Sequence, residues 1–339
     1  MQPARRRNCP GERPTHNVEV NGTKGDPGYP VIVYPKLFEG RDESTKVLKI
    51  SDQIMLNLRP SFILYDDFFV RKYRDGTPEH KYFNVEALQR GLYYDAKQLA
   101  AVAVSEIDGA LRVEGVVGPH LKIRPGEASE RSTYGDQAHI VDTIEDLKDE
   151  SVHGKLFEER MAVSQRDTNS RVGYDSSKFN VESIHPEVLI TCDTVFLAGF
   201  KNKEDMIRYV LIMFQVVILR YSTVTHPRIQ PVLLGIEISD KTQEDKYYNY
   251  LGDGLNAIPS LYNISYYVKA KKVYYKDYDL IYFLTGYDII VPGDKGWDRS
   301  YRGFAFVGSA CLGTREQLGE DIPHSFRGIR TMVHEMAHT

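Results

Sequence analysis

Residues 331–339 read TMVHEMAHT. His334 and His338 are four apart, and Glu335 follows the first of them. On a helix, residues four apart share a face. Two imidazoles so placed can hold one zinc ion through ring nitrogens. Glu335 lies one position along and can reach a water on the metal without ligating it, so it suits a general base. Together these residue types serve hydrolysis: the cation polarises a carbonyl and the carboxylate moves a proton. The same pentapeptide also arises by chance, and a histidine pair on a helix can be a solvated face. A catalytic zinc needs a third protein ligand and an open position. The other histidines, His16, His80, His120, His139, His153, His185, His226 and His324, show no ligand spacing. The third ligand is therefore expected at a distant residue or beyond Thr339.

The elements that must position this site follow from periodicity. FRGIRTMVHEMAHT reads as a last helix, with Ser325 as its cap and Phe326, Ile329, Val333 and Ala337 as its apolar face. Upstream, EVLITCDTVFL reads as a strand, KEDMIRYVLIMFQVVILRYS as a helix and RIQPVLLGIEI as a strand, a β-α-β unit. A helical stretch from about Gly254 is interrupted near Pro259, and DLIYFLTGYD and GFAFVGSAC are further strands. The run Tyr209 to Leu219 is too short to span a bilayer and reads as a buried helix. The N-terminal part differs. VIVYPKLF, KVLKISDQIMLNL, SFILYDDFFVRKY and LAAVAVSEIDGALRVEGVVG look like strands, with Asp108-Gly109 at a hairpin turn.

The expected organisation is a disordered leader (1–30), a mostly β domain (31–125), a polar linker with an exposed, cleavable middle (126–183) and an α/β domain (184–339). The chain has 339 residues, is 42% hydrophobic and 27% charged, and carries a net charge of −4. That composition suits a globular protein and argues against nucleic acid as a partner. Three cysteines, Cys9, Cys192 and Cys311, fit either a reduced chain or a piece whose disulfide partners lie elsewhere. Asn21 and Asn263 begin glycosylation sequons that matter only if the chain is secreted.

Taken in order, these stretches resemble the metzincins, and among them the reprolysin (adamalysin) family of secreted zinc metalloproteases. The resemblance covers about 184–339. EVLITCDTVFL, the long helix and IQPVLLGIEI are similar to the family's opening strand, helix and strand. YDLIYFLTGYD and GFAFVGSACLGTREQLGED resemble the two strand segments before the zinc motif. Residues 31–125 look like the propeptide domain of arthropod members such as tick salivary metalloproteases. The fold class implied is α/β: a metzincin-like catalytic domain with a mixed, mostly parallel sheet, cut off within its active-site helix and preceded by a mostly β propeptide domain.

The resemblance implies zinc as cofactor, His334 and His338 as its ligands and Glu335 as general base. It implies that Gly303, Phe304 and Ala305 form an edge strand that pairs with an extended extracellular substrate. Cys311 would pair with a cysteine outside the chain. The family motif continues past Thr339 to a glycine, a third histidine and an aspartate. No cysteine between 126 and 183 can block the zinc, so latency by that route is not expected. The function implied is a secreted endopeptidase precursor. The competing readings are a catalytically incompetent fragment or secreted binding module, and a peptidase with a glutamate ligand further on.

Overall fold

The computed structural model describes residues 29–42, 44–74, 76–126, 136–144, 181–293, 296–310 and 313–339. Nearly all of the expected leader, Cys9, Asn21, Cys311 and residues 145–180 of the expected linker lie outside these.

The chain is mixed α/β with two principal sheets. Most N-terminal strands between Val31 and Thr143 form a nine-stranded antiparallel sheet. The Asp108-Gly109 hairpin is there, joining Ala100–Ile107 to Ala110–Gly118, and both turn residues have positive φ (52° and 73°). One strand of this sheet, His139–Thr143, lies inside the stretch that reads as linker. It is short and carries only Ile140 and Val141 as large apolar residues, too little for the pattern to register.

The second sheet has seven strands, labelled here in chain order: β1 (Leu64–Arg74), β2 (Thr77–Tyr82), β3 (Glu187–Cys192), β4 (Val232–Ile238), β5 (Leu280–Thr285), β6 (Gly303–Ala305) and β7 (Glu316–Glu320). Their spatial order is β6-β7-β5-β3-β4-β1-β2. The inner pairs are parallel, and the terminal strands β6 and β2 run antiparallel to their neighbours. The central strands are buried on both faces, which is why EVLITC and LIYFLT read as continuous apolar runs.

Three helices position the site: α1 (Lys203–Tyr221), α2 (Ala257–Ala270) and α3 (Gly328–His338). The α1 helix packs against α3 on one side and against Ala100–Ile107 and Ala110–Gly118 of the N-terminal sheet on another. From Tyr209 to Leu219 it is covered nearly all round, and over that stretch it is apolar apart from Gln215. Its one buried amide, Gln215, accepts a hydrogen bond from Ser61. Asn202 caps its start by accepting from the Asp205 amide.

Two expectations are corrected. EVLITCDTVFL is a strand only to Cys192, because the Asp193 carboxylate then accepts from the Phe196 amide and starts a short helix, Thr194–Ala198. Pro259 does not interrupt α2. It sits in the first turn, where its missing N–H costs nothing. Cys192 is a free thiol, fully buried, and burial pushes its pKa well up.

Candidate active site

The α3 helix begins at Gly328. Ser325 does not cap it by itself. Asp321, just past the end of β7, accepts from the Gly328 amide (2.9 Å), the Ser325 hydroxyl (3.0 Å) and the Tyr209 hydroxyl (2.6 Å). Burial pushes this carboxyl up to about 6. Phe326 stacks on Tyr209, with ring centroids 4.3 Å apart, and its φ of 58° turns the chain into the helix. The buried face is Ile329, Met332 and Met336; Val333 is half-buried and Ala337 exposed. The face is rotated from the expected one because α3 must cover both α1 and the strands β6 and β7. Near its end the helix is held by the Tyr221 hydroxyl donating to the Val333 carbonyl (2.9 Å). The Gly308 amide donates to the His338 carbonyl (2.7 Å), satisfying one of the carbonyls a helix end leaves open.

His334 and His338 converge as the spacing predicts. Their Nε2 atoms are 2.9 Å apart and their rings perpendicular. His334 is exposed and His338 half-buried. Two imidazoles whose Nε2 atoms meet at hydrogen-bond distance stand close enough to share one zinc ion, whose bonds to nitrogen are about 2.0–2.1 Å. The donor set fits the metal as far as it goes. Among the described residues no group of three or more His, Cys, Asp or Glu side chains could hold a metal. His324, for one, is engaged elsewhere, on the Gly199 carbonyl (3.1 Å) and near Glu114.

Glu335 is turned inward and 5% exposed. Among the described residues no side chain hydrogen-bonds or ion-pairs with it, and desolvation alone pushes its carboxyl up to about 8. A Cβ on Gly303 would lie 2.7 Å from its Oε1 and 2.6 Å from Thr331 Cγ2. Strand β6 can therefore approach the glutamate only because residue 303 is glycine. Phe304 points to the opposite face, into a cluster with Tyr301 and Leu318. Gly303, Phe304 and Ala305 are thus brought beside Glu335 as the terminal strand of the sheet.

Three contributors escaped the sequence reading. Gly319 pairs directly with Gly303, and a Cβ there would overlap the hydroxyl of Tyr282. Among the described residues that hydroxyl, buried under the glycine, has no hydrogen-bond partner, and Glu335 and Asp321 add to the burial that pushes its pKa well up. Thr331 fills the space above both glycines. Paired glycines on neighbouring strands were the available signal, visible only once the register is known. The remaining expected sites are not brought here. Asn263 lies half-buried on α2, with Ser265 of its sequon buried.

No family model matches the chain. It is 23% identical over 325 residues to a metalloproteinase of Tityus obscurus, covering 91% of this chain and 82% of that protein. It is 28% identical over 269 residues to the venom metalloproteinase antarease of Tityus serrulatus, covering 75% and 65%. A venom metalloproteinase of Olivierus martensii is 34% identical over 119 residues, 34% of this chain and 30% of that protein. The relatives are metalloproteinases. Among solved structures, an archaemetzincin from Methanopyrus kandleri overlaps at 15% identity with a TM-score of 0.29, covering 46% of this chain and 73% of that one, too loose an overlap to argue from. The narrower reprolysin and tick resemblance stays an expectation.

Proposed function

We propose that the chain is a zinc-dependent endopeptidase precursor acting on extracellular proteins or peptides. The carrying observation is the approach of the His334 and His338 Nε2 atoms beside a buried Glu335 that has no side-chain partner among the described residues and lies against the terminal strand β6. Relatives named as metalloproteinases support the chemistry, and the word venom in two of those names supports an extracellular place of action.

In this reading His334 and His338 hold the metal, with a third ligand from outside the described residues. Bound zinc supplies a Lewis acid that polarises the scissile carbonyl and lowers the pKa of the attacking water. Glu335 takes the proton of that water and hands it to the leaving amine. Its dry surroundings set its basicity, and a neighbouring cation draws it back toward the usual carboxylate range. Strand β6 receives the substrate main chain as an added strand and aligns the scissile bond along the helix. The reading assigns the N-terminal strands, through His139–Thr143, to the propeptide, the stretch from there to 183 to the processing region and 184–339 to the protease portion.

A second reading is a secreted binding module. It is favoured by the missing third donor among the described residues, since two histidines hold zinc weakly and exchange it readily. Zinc analysis of the purified chain after dialysis, with a peptide-cleavage assay, separates the two. Stoichiometric zinc, with cleavage abolished in Glu335→Gln and zinc lost in His334→Ala, is the result expected of the peptidase. Zinc that washes out, with no cleavage, supports the module.

A further inference from the structure

The edge of the seven-stranded sheet far from His334 is formed by the N-terminal part of the chain. Strand β1 pairs in parallel with β4, setting Phe69 opposite Gly235, Val70 opposite Ile236 and Arg71 opposite Glu237. The fit is specific. Gly235 has no side chain, and the Phe69 ring occupies the space: a Cβ there would lie 2.7 Å from it. Arg71 and Glu237 are both buried, and Arg71 Nε donates to Glu237 at 2.6 Å. Glu237 also accepts from the hydroxyls of Tyr275 (2.8 Å) and Tyr73 (3.2 Å), and Arg71 donates to the Tyr274 carbonyl (2.8 Å). Behind the strand, Phe68, Val70, Leu92, Ala101, Ala103 and Val116 share one apolar cluster with α1.

Taking β1 away would bare the edge of β4, VLLGIEI, which reads as an aggregation template. It would also leave the Glu237 charge buried without its cation, a costly arrangement. The hairpin does not lie over the histidines. It sits five strand spacings from β6, roughly 24 Å across the sheet.

We propose that the β1–β2 hairpin is a permanent strand pair of this sheet, so that the N-terminal unit stays bound as a structural subunit after the chain is cut ahead of Val181. The inference does not rest on the zinc reading and survives if that reading fails.

The test places a specific protease recognition sequence ahead of Val181 in the full chain and cleaves it after purification. The expected result is one size-exclusion peak holding both fragments, with hydrogen-exchange protection of Val232–Ile238 unchanged by the cut. Separation of the fragments, or aggregation of the C-terminal one, overturns the proposal. Arg71→Leu in the cut protein should remove co-elution, and Arg71→Leu with Glu237→Leu should restore it. If Arg71→Leu fails to fold uncut, Gly235→Val, which displaces the Phe69 ring and spares the charge pair, takes its place. Co-elution as strong as in the unaltered chain would then count against the strand as the holding element.

Discussion

The two ends of the seven-stranded sheet each carry a buried glutamate, and they are built on opposite principles. Glu237 at the β1 end meets a guanidinium and two tyrosine hydroxyls. Glu335 at the β6 end lies against Gly303, where a Cβ would sit 2.7 Å from its Oε1, and has no polar side-chain partner among the described residues. A buried charge that is fully paired fixes structure, and one left unpaired is available for chemistry. The α3 end gives up stability to keep a carboxylate free, whereas the β1 end uses its carboxylate as a fastener.

That contrast can be broken or sharpened in order of expected size. Arg71→Leu leaves Glu237 uncompensated and should cost about 3–5 kcal/mol in denaturant unfolding, with most of it recovered in the Arg71→Leu/Glu237→Leu double variant. If the single variant cost no more than a surface change, the fastener idea would fail. Glu335→Gln should do the reverse in zinc-free protein at alkaline pH. Its carboxyl is raised from 4.5 to about 8 in the folded state, so its contribution is fully present below pH 4.5 and lost as pH rises through 8. The substitution should flatten that slope and gain roughly 4–5 kcal/mol at pH 8 and above, read from unfolding at several pH values.

Smaller effects test the glycine floor. Gly319→Ala drives a methyl into the Tyr282 hydroxyl and should cost about 1–3 kcal/mol, part of which Tyr282→Phe in the same chain should return. Tyr282→Phe alone removes an unsatisfied hydroxyl and should change stability by less than about 1 kcal/mol in thermal unfolding. The smallest effect is expected at His324, whose pKa is raised chiefly by the Glu114 carboxylate 3.6 Å from its Nδ1. Its stabilisation is present below pH 6.5 and lost as pH rises through the folded value, so His324→Gln should remove a shallow slope in that window.

The sequence carried the local features well. The histidine spacing, the long apolar helix, the Asp108-Gly109 turn and the central strands are each written in a few consecutive residues. What stayed hidden depends on register between distant strands. Gly303 and Gly319 look like ordinary turn or strand glycines until they are set opposite each other. SFILYDDFFVRKY reads correctly as a strand, yet nothing local says that it joins the sheet of residues 184–339. Arg71 and Glu237 are 166 positions apart and become a pair only through that sheet. The rotated face of α3 was missed for a related reason: Glu335 and Met332 face inward because of what α3 covers, which the helix's own sequence does not state.

The parallel pairing of β1 with β4 also sets a clock. Val70 and Arg71 leave the ribosome well before Ile236 and Glu237 exist to receive them. Synthesis runs at about 5–20 residues per second, so the strand waits roughly 10–30 seconds for its partner. During that interval Phe68, Val70 and an unpaired arginine on one strand are open to any other edge nearby. Chain elongation speed, and whatever shields nascent strands, should therefore affect the yield of folded protein.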